Sequence, residues 1–444
     1  MPGNGTLTAR WKCSGNICNF KPMKKGILKY GKSVGIYFAA SFLPMLLLAA
    51  VNPLIAINMT PEDYAVSGFY NSFTALFTPI VVFYMLHYYN KRYYEIGPEE
   101  RLRLRAMLFK ALIFFSAGMA LLCLGALAVY LFFIRDDFSF PFLPYAFLSV
   151  FAIPLTGILK LEQADFRMSR NASGFFRITV AAGLILVLTN LLFVVVMKLG
   201  GVGKLLAPFT ANALVFIYLL IRHRSLFSIG TDMAEFREVL RFCLPLTIGA
   251  ALGYFFNGYD RTYLESLPDI REYGNYIVGS QIAGYLTTLS TAVTSTFQPD
   301  IYESLAKNDR KGLWRACIIQ IGLIAAVVNL FILFCPLIVR ILTAGRYADA
   351  TVYAAIISIS TLTSSIYFVI NNCTIAKGYP RIYLYTTILG SILTIGCYPL
   401  MVNAFAYKGG AMMTALSFVI LSVVNLVLLA SARRRRSGRE PILI

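Results

Sequence analysis

Residues 242–265 read FCLPLTIGAALGYFFNGYDRTYLE. The first fifteen carry no charge, and Asp260 and Arg261 then stand side by side. A membrane-spanning helix needs about 20 mostly apolar residues. An ionisable pair at its far end is costly, so it marks a candidate functional position. The same pattern recurs along the chain, in about twelve stretches that meet the length requirement. Six run over 34–57, 64–87, 106–134, 141–161, 178–197 and 205–221. Six more run over 242–259, 274–297, 316–339, 351–373, 382–403 and 410–431. The eighth and tenth are rich in hydroxyls and amides (GSQIAGYLTTLSTAVTSTF, SISTLTSSIYFVINN). They should face other helices or a wet cavity rather than lipid.

Composition agrees with an all-α integral membrane protein. Of 444 residues, 58% are hydrophobic and 14% charged, against about 25% charged in soluble chains. The formal net charge of +19 would suit a nucleic-acid partner, but its location argues otherwise. Lysines and arginines crowd every second gap: Lys24 to Lys32, Lys91 to Arg105, Arg167 to Arg177, Arg222 to Arg241, Lys307 to Arg315, Lys377 to Arg381, and Arg433 to Arg436. The alternate gaps, among them MTPED, RDDFSF, LGGVGK, TAGRYADA and YKGG, are sparse in charge. The positive-inside rule then places both termini in the cytoplasm of a multi-pass protein. The basic charge is a topology signal with some contact to membrane lipids, and no nucleic acid is expected.

No cleavable signal peptide is evident, and the polar start reads as a tail, with Met23 a plausible alternative first residue. Cys123, Cys243, Cys317, Cys335, Cys373 and Cys397 sit singly in apolar runs and read as small buried hydrophobes. Cys13 and Cys18 lack a second pair, and His87 and His223 lack ligand-spaced partners, so neither metal nor cofactor is expected. GGVGK (200–204) lacks the following Ser or Thr and the strand-to-helix setting of a nucleotide loop.

The two halves resemble each other. EDYAVSGFYNSFTALFT (62–78) lies over REYGNYIVGSQIAGYLTT (271–288), RAMLFKALIFF (105–115) over RACIIQIGLIAA (315–326), and ADFRMSRNASGFF (164–176) over CTIAKGYPRIYLY (373–385). The common offset implies two six-helix repeats related by an axis along the membrane normal, with the transport path between them. The organisation is a tail over 1–32, a lobe over 33–222, a linker over 223–241, a second lobe over 242–431 and a basic tail over 432–444. The second half is longer by about eight residues in this comparison, and DRTYLESL supplies them.

Residues 240–299 resemble the polysaccharide-export branch of the multidrug/oligosaccharidyl-lipid/polysaccharide exporter superfamily. The similarity rests on Leu244-Pro245, Asp260-Arg261, Gly274 with Tyr276, and the small-residue run to Pro299; MTPEDYA in the first half resembles the equivalent turn, with Ala65 where a glycine is usual. The resemblance implies a flippase, not an enzyme. Its substrate would be an undecaprenyl-diphosphate-linked oligosaccharide of the O-antigen or capsule type, moved across a bacterial inner membrane. A polysaccharide polymerase and a chain-length regulator would be its partners.

Such a substrate needs cations for the diphosphate and hydroxyl, amide and aromatic surfaces for sugar. Lys160 and Arg167, in KLEQADFR at the end of the fourth run, are candidates for the diphosphate; the alternative is a solvated helix end with exposed ion pairs. Lys377, the repeat-mate of Arg167, and Arg177 are further candidates. Asn371 and Asn372 could serve sugar hydroxyls or interhelical hydrogen bonds. Asp260, Arg261 and Tyr259 read either as a helix-end cap or as a gate at the outer mouth. The tyrosines near span ends (84, 88, 89, 93, 94, 254, 259, 263, 273, 276) read chiefly as an interfacial belt. Two rival functions remain: a cation-coupled drug or metabolite antiporter, which needs a membrane-embedded carboxylate, and a glycan polymerase or ligase, which needs a large outward loop. The apolar runs are poor in acids and the outward gaps are short.

Overall fold

Backbone N–H and C=O groups in a bilayer must be satisfied within the chain, so each apolar run must become a helix. The computed structural model describes residues 24–135, 140–306, 309–376 and 379–437, and among these the regular structure is helical throughout. The first lobe contains α1 (Lys24–Ile57), α2 (Pro61–Val82), short α3 (Met85–Arg92), α4 (Pro98–Val129), α5 (Tyr145–Met168), α6 (Ala172–Asn190) and α7 (Gly200–Arg222). The second contains α8 (Met233–Ala251), short α9 (Tyr254–Asn257) and α10 (Tyr259–Leu264), α11 (Ile270–Ala306), α12 (Arg310–Leu342), α13 (Ala350–Ala376) and α14 (Pro380–Ser437).

Nine of the described helical stretches are long and apolar enough to cross a membrane. The ninth, within α14, is two crossings, because Ala406 breaks the helix with φ 47° and ψ −131° just before YKGG. The described part of α1 is a shorter apolar helix, and α11 is long enough to span but rich in hydroxyls and amides. With these the twelve runs are accounted for. The packing repeats between halves: α2 and α4 both meet α5, which meets α7, and correspondingly α11 and α12 both meet α13, which meets α14.

Caps set the loop ends. Thr60 and Asp63 form a reciprocal capping box with Pro61 at the first helical position of α2. Asp63 Oδ1 also accepts the amide of Gly201, 2.7 Å away, tying the start of α2 to the start of α7. Gly200, at φ +53°, is needed there, because a Cβ would stand 2.4 Å from the Asp63 carboxylate. Asn171 and Asp309 cap α6 and α12 through the amides of Gly174 and Gly312.

The lobes meet on the face opposite the basic loops. There α2 crosses α11 so closely that a Cβ on Gly68 would stand 2.4 Å from the Ile277 side chain, and one on Gly274 would stand 2.2 Å from the Pro61 carbonyl. Asn52 donates to the Leu342 carbonyl at 2.8 Å and accepts from Gln281 at 3.0 Å. Tyr347 donates to the Met59 carbonyl at 2.6 Å, and Arg346 donates to that of Ile57.

One expectation is corrected here. Asp260 and Arg261 do not end a continuous seventh span. The helix breaks at Gly258 (φ −154°), and the pair lies in the separate short helix α10. DRTYLESL, the second half's extra residues, makes up most of this element and the turn after it.

Candidate functional site

Between the lobes lies a cleft of three adjoining cavities. The first, 630 Å³, is lined by Thr74, Thr78, Tyr84, His87 and Lys160 of the first lobe and by Gly253, Phe256, Asn257, Tyr367, Tyr383 and Phe418 of the second. The second, 290 Å³, lies towards the sealed face and takes Asn71, Asn190 and Lys204 from the first lobe, with Arg261, Gln281 and Tyr285 from the second. The third, 340 Å³, enters the second lobe between α10, α11, α13 and α14. Phe256, Asn257 and Phe418 are shared by the first and third, and Arg261 by the second and third.

The charge balance of the cleft is positive. Among the lining residues Lys160, Lys204 and Arg261 are cations and Asp260 is the sole carboxylate. Asp260 is buried and already accepts a 2.5 Å hydrogen bond from the Tyr276 hydroxyl. The Arg261 guanidinium lies 4.0 Å from Asp260 through Nε and donates through Nη2 to Ser280 at 2.9 Å. Arg261 thus reaches across to α11 and does not cap a helix end. Lys160 is exposed within the cleft. Neither Lys160 nor Lys204 makes a hydrogen bond or ion pair among the described residues, which leaves both ammonium groups for a ligand. His87, on α3 outside the spans, stacks on Tyr84 with centroids 4.4 Å apart. Desolvation pushes its imidazole below the ordinary value, so at neutral pH it adds no charge.

The third cavity supplies hydroxyls. Ser280, Thr287, Thr288, Ser360 and Thr414 line it beside Asn257 and the carboxylate of Asp260. Ser280, Thr287, Thr288 and Ser360 come from the two helices that the sequence marked as too polar to face lipid, and Thr414 comes from α14. Hydroxyls and amides above aromatic rings suit a polyol, and unpaired ammonium groups suit an anion.

The remaining sequence candidates scatter. Arg167 is exposed and lies over the Phe175 ring at 5.9 Å, away from the cleft. Arg177 lines a separate cavity between α6 and α7. Asn371 is buried within α13 with Oδ1 unpaired among the described residues, and it lines none of the three cavities. Asn372 is half-buried beside it. Lys377 lies outside the described residues. Tyr259 stacks edge-on against Tyr398 at 5.1 Å.

Two further expectations are corrected. The acids of KLEQADFR are not solvated. Glu162 and Asp165 clamp Arg105 at 2.5 and 3.0 Å, and Glu162 also lies 3.1 Å from His223. Glu162 is buried and Asp165 partly so, and the charges pair with one another. Most of the tyrosines named above are not an interfacial belt either. Tyr88, Tyr89, Tyr254, Tyr273 and Tyr276 are buried, with hydroxyls on Glu238, Asp165, Thr262, the Arg261 carbonyl and Asp260. Tyr94 stays exposed. A buried phenol needs a partner for its hydroxyl, and the chain supplies one in each case.

The match to the family model described as polysaccharide biosynthesis protein covers residues 105–352, more than half of the chain. The chain belongs to this family. The match agrees with the resemblance of residues 240–299 to the polysaccharide-export branch of the exporter superfamily. An uncharacterized membrane protein of Methanocaldococcus jannaschii is 24% identical over 191 residues, covering 42% of this chain and 45% of that protein, less than half its length. The fold is similar to that of a multidrug resistance MATE family transporter in an inward-facing conformation, with TM-score 0.69 at 12% identity over 91% of this chain and 100% of the other. It is also similar to the lipid II flippase MurJ in an inward closed conformation, with TM-score 0.65 at 12% identity over 89% and 87%. A Vibrio cholerae MATE transporter matches with TM-score 0.56 at 13% identity over 92% and 98%. At these identities the likeness is one of fold. This polysaccharide biosynthesis family member therefore shares the fold of those proteins, with a cleft between its lobes.

Sequence reasoning missed Lys204, because GGVGK read as a loop. The helix in fact starts at Gly200, and at 3.6 residues per turn Lys204 and Pro208 share a face towards the cleft. It also missed Arg135 and Glu265, an ion pair of 2.5 Å between the lobes. No local pattern announces a partner 130 positions away.

Proposed function

We propose that the protein is a flippase that carries an undecaprenyl-diphosphate-linked oligosaccharide across a bacterial inner membrane by alternating access. The observation that carries this reading is the cleft's own chemistry: Lys160 and Lys204 without a partner among the described residues, Arg261 between two cavities, and a hydroxyl-lined recess beside them. The basic-loop face is cytoplasmic on this reading, with both termini on that side. The diphosphate enters near Lys160 and is handed towards Lys204 and Arg261, while the sugars occupy the recess lined by Thr287, Thr288 and Ser360. The polyprenyl tail stays in lipid. Helix α10 acts as the outer gate: Asp260, Arg261 and Tyr259 hold it against α11 and α14, and Thr262 and Glu265 hold it against the first lobe. The product serves a polysaccharide polymerase and chain-length regulator in O-antigen or capsule assembly.

A second reading, cation-coupled antiport of a small molecule, is favoured by one observation, the buried carboxylate of Asp260. The two part in proteoliposomes loaded with a fluorescent undecaprenyl-diphosphate oligosaccharide and probed with an external glycosidase. The flippase exposes the whole population to the enzyme, while empty liposomes expose about half. Exposure no greater than in empty liposomes, with a pH or sodium gradient driving drug efflux that Asp260→Asn abolishes, would establish the antiporter instead.

A further inference from the structure

A fourth cavity, of 520 Å³, lies between α6 and α7 at the end nearest the basic loops. Its walls are apolar: Ile178, Ala181, Ala182, Ile185, Leu214 and Val215. Its end carries two guanidinium groups, Arg177 and Arg222. Both are exposed. Arg177 makes no hydrogen bond or ion pair among the described residues, and Arg222 donates only to the neutral hydroxyl of Tyr218 at 3.1 Å. Among the described residues no carboxylate lines the cavity.

The groove opens on the outer flank of the lobe, away from the cleft. On α6, Gly183 packs against Pro44 of α1 and Asn190 faces the cleft. At about 100° per residue, Ile178, Ala181 and Ile185 project the other way. The neighbouring side chains on that flank are large, apolar and exposed: Leu184, Leu188, Leu214, Ile217 and Ile221. Such a surface is covered by hydrocarbon in a membrane. Gly174 deepens the groove's end, where a Cβ would stand 2.7 Å from the Phe166 ring.

We infer that this groove binds one anionic glycerophospholipid as a resident ligand, with its phosphate between Arg177 and Arg222 and an acyl chain along the small-residue wall of α6. The charge of the groove selects the occupant. Two arginines with no ion pair among the described residues, at headgroup depth above an apolar trough, fit a lipid with net negative charge, and a basic pocket between membrane helices on the positive side is the kind of site that holds one. A zwitterionic lipid brings its own ammonium group against the guanidiniums and loses the advantage. The groove shares no lining residue with the cleft. The inference does not rest on the flippase reading.

The test is thermal unfolding of the full chain in a neutral detergent, supplemented with phosphatidylglycerol or with phosphatidylcholine. Phosphatidylglycerol should raise the midpoint by at least about 2 °C more than phosphatidylcholine does. Arg177→Gln/Arg222→Gln should abolish that difference, while Arg167→Gln, on the same face but outside the groove, should retain it. Should the double variant fail to fold, Ala181→Trp fills the trough and must reduce the phosphatidylglycerol effect likewise. An equal rise with both lipids overturns the inference, as does a phosphatidylglycerol-specific rise that survives the double variant or the tryptophan.

Discussion

Lys204 is the residue on which the cleft's chemistry turns, because its ammonium group has no partner among the described residues. A charge-assisted hydrogen bond contributes about 1.5–3 kcal/mol. Lys204→Gln should therefore lower flipping of a diphosphate-linked substrate by roughly tenfold or more while leaving the unfolding midpoint nearly unchanged. A full transport rate would remove Lys204 from the substrate path. Arg105 behaves oppositely. It neutralises Glu162 and Asp165, and Glu162 is buried. Arg105→Ala removes the cation that both carboxylates share and should cost about 3–5 kcal/mol of stability, read as a lowered midpoint and reduced membrane yield. His87 gives a pH signature. Its native value is lowered by desolvation, so the unfolded chain binds the extra proton. Its contribution to stability is complete above the ordinary histidine value of about 6.5 and is lost as pH falls through that value towards the lowered one. His87→Gln should flatten the midpoint-against-pH curve in that window, and an unaltered slope would contradict it. In sequence, Lys160 was legible because it ends a run next to an acid cluster. Lys204 was not, because three glycines before it mimic a loop.

Helix α10 shows what an insertion in one repeat can do. The eight-residue excess of the second half was visible as a difference in spacing, and the structure places its side chains in contact with the first lobe. Thr262 lies 3.3 Å from Ser72, and Glu265 pairs with Arg135 at 2.5 Å. Span number was legible because lipid imposes one rule, an apolar run of fixed length. Spans that violate the composition, as α11 does, were legible as cavity-facing for the same reason. Which arginine meets which carboxylate depends on helix rotation and tilt, which the spacing of apolar residues does not fix. The seal between α2 and α11 makes a direct prediction. A Cβ at Gly274 collides with the Pro61 carbonyl, so Gly274→Ala must part the helices at the sealed face. Spin labels at Glu62 and Arg271 should report a longer and broader distance distribution in the variant than in the parent chain, whereas identical distributions would show that this contact does not hold the lobes together.

At the scale of the molecule, the described residues form two helical bundles of about six spans each, sealed along the face with few charges and separated by a cleft towards the basic face. That layout was legible from the alternation of basic gaps and from the common offset between halves. The cleft's positive balance was only partly so. It arises from Lys160, Lys204 and Arg261, which lie far apart in sequence and come together when the lobes close at one end. The account's central claim is that this cleft carries a lipid-linked oligosaccharide from one leaflet to the other. The most direct measurement is the leaflet distribution of that lipid in a strain lacking the protein and any substitute transporter, read by an impermeant sugar-labelling reagent applied to spheroplasts. The account predicts that the lipid accumulates unlabelled on the cytoplasmic side and becomes labelled when the gene is restored. Equal labelling in the deletion and parent strains would contradict it.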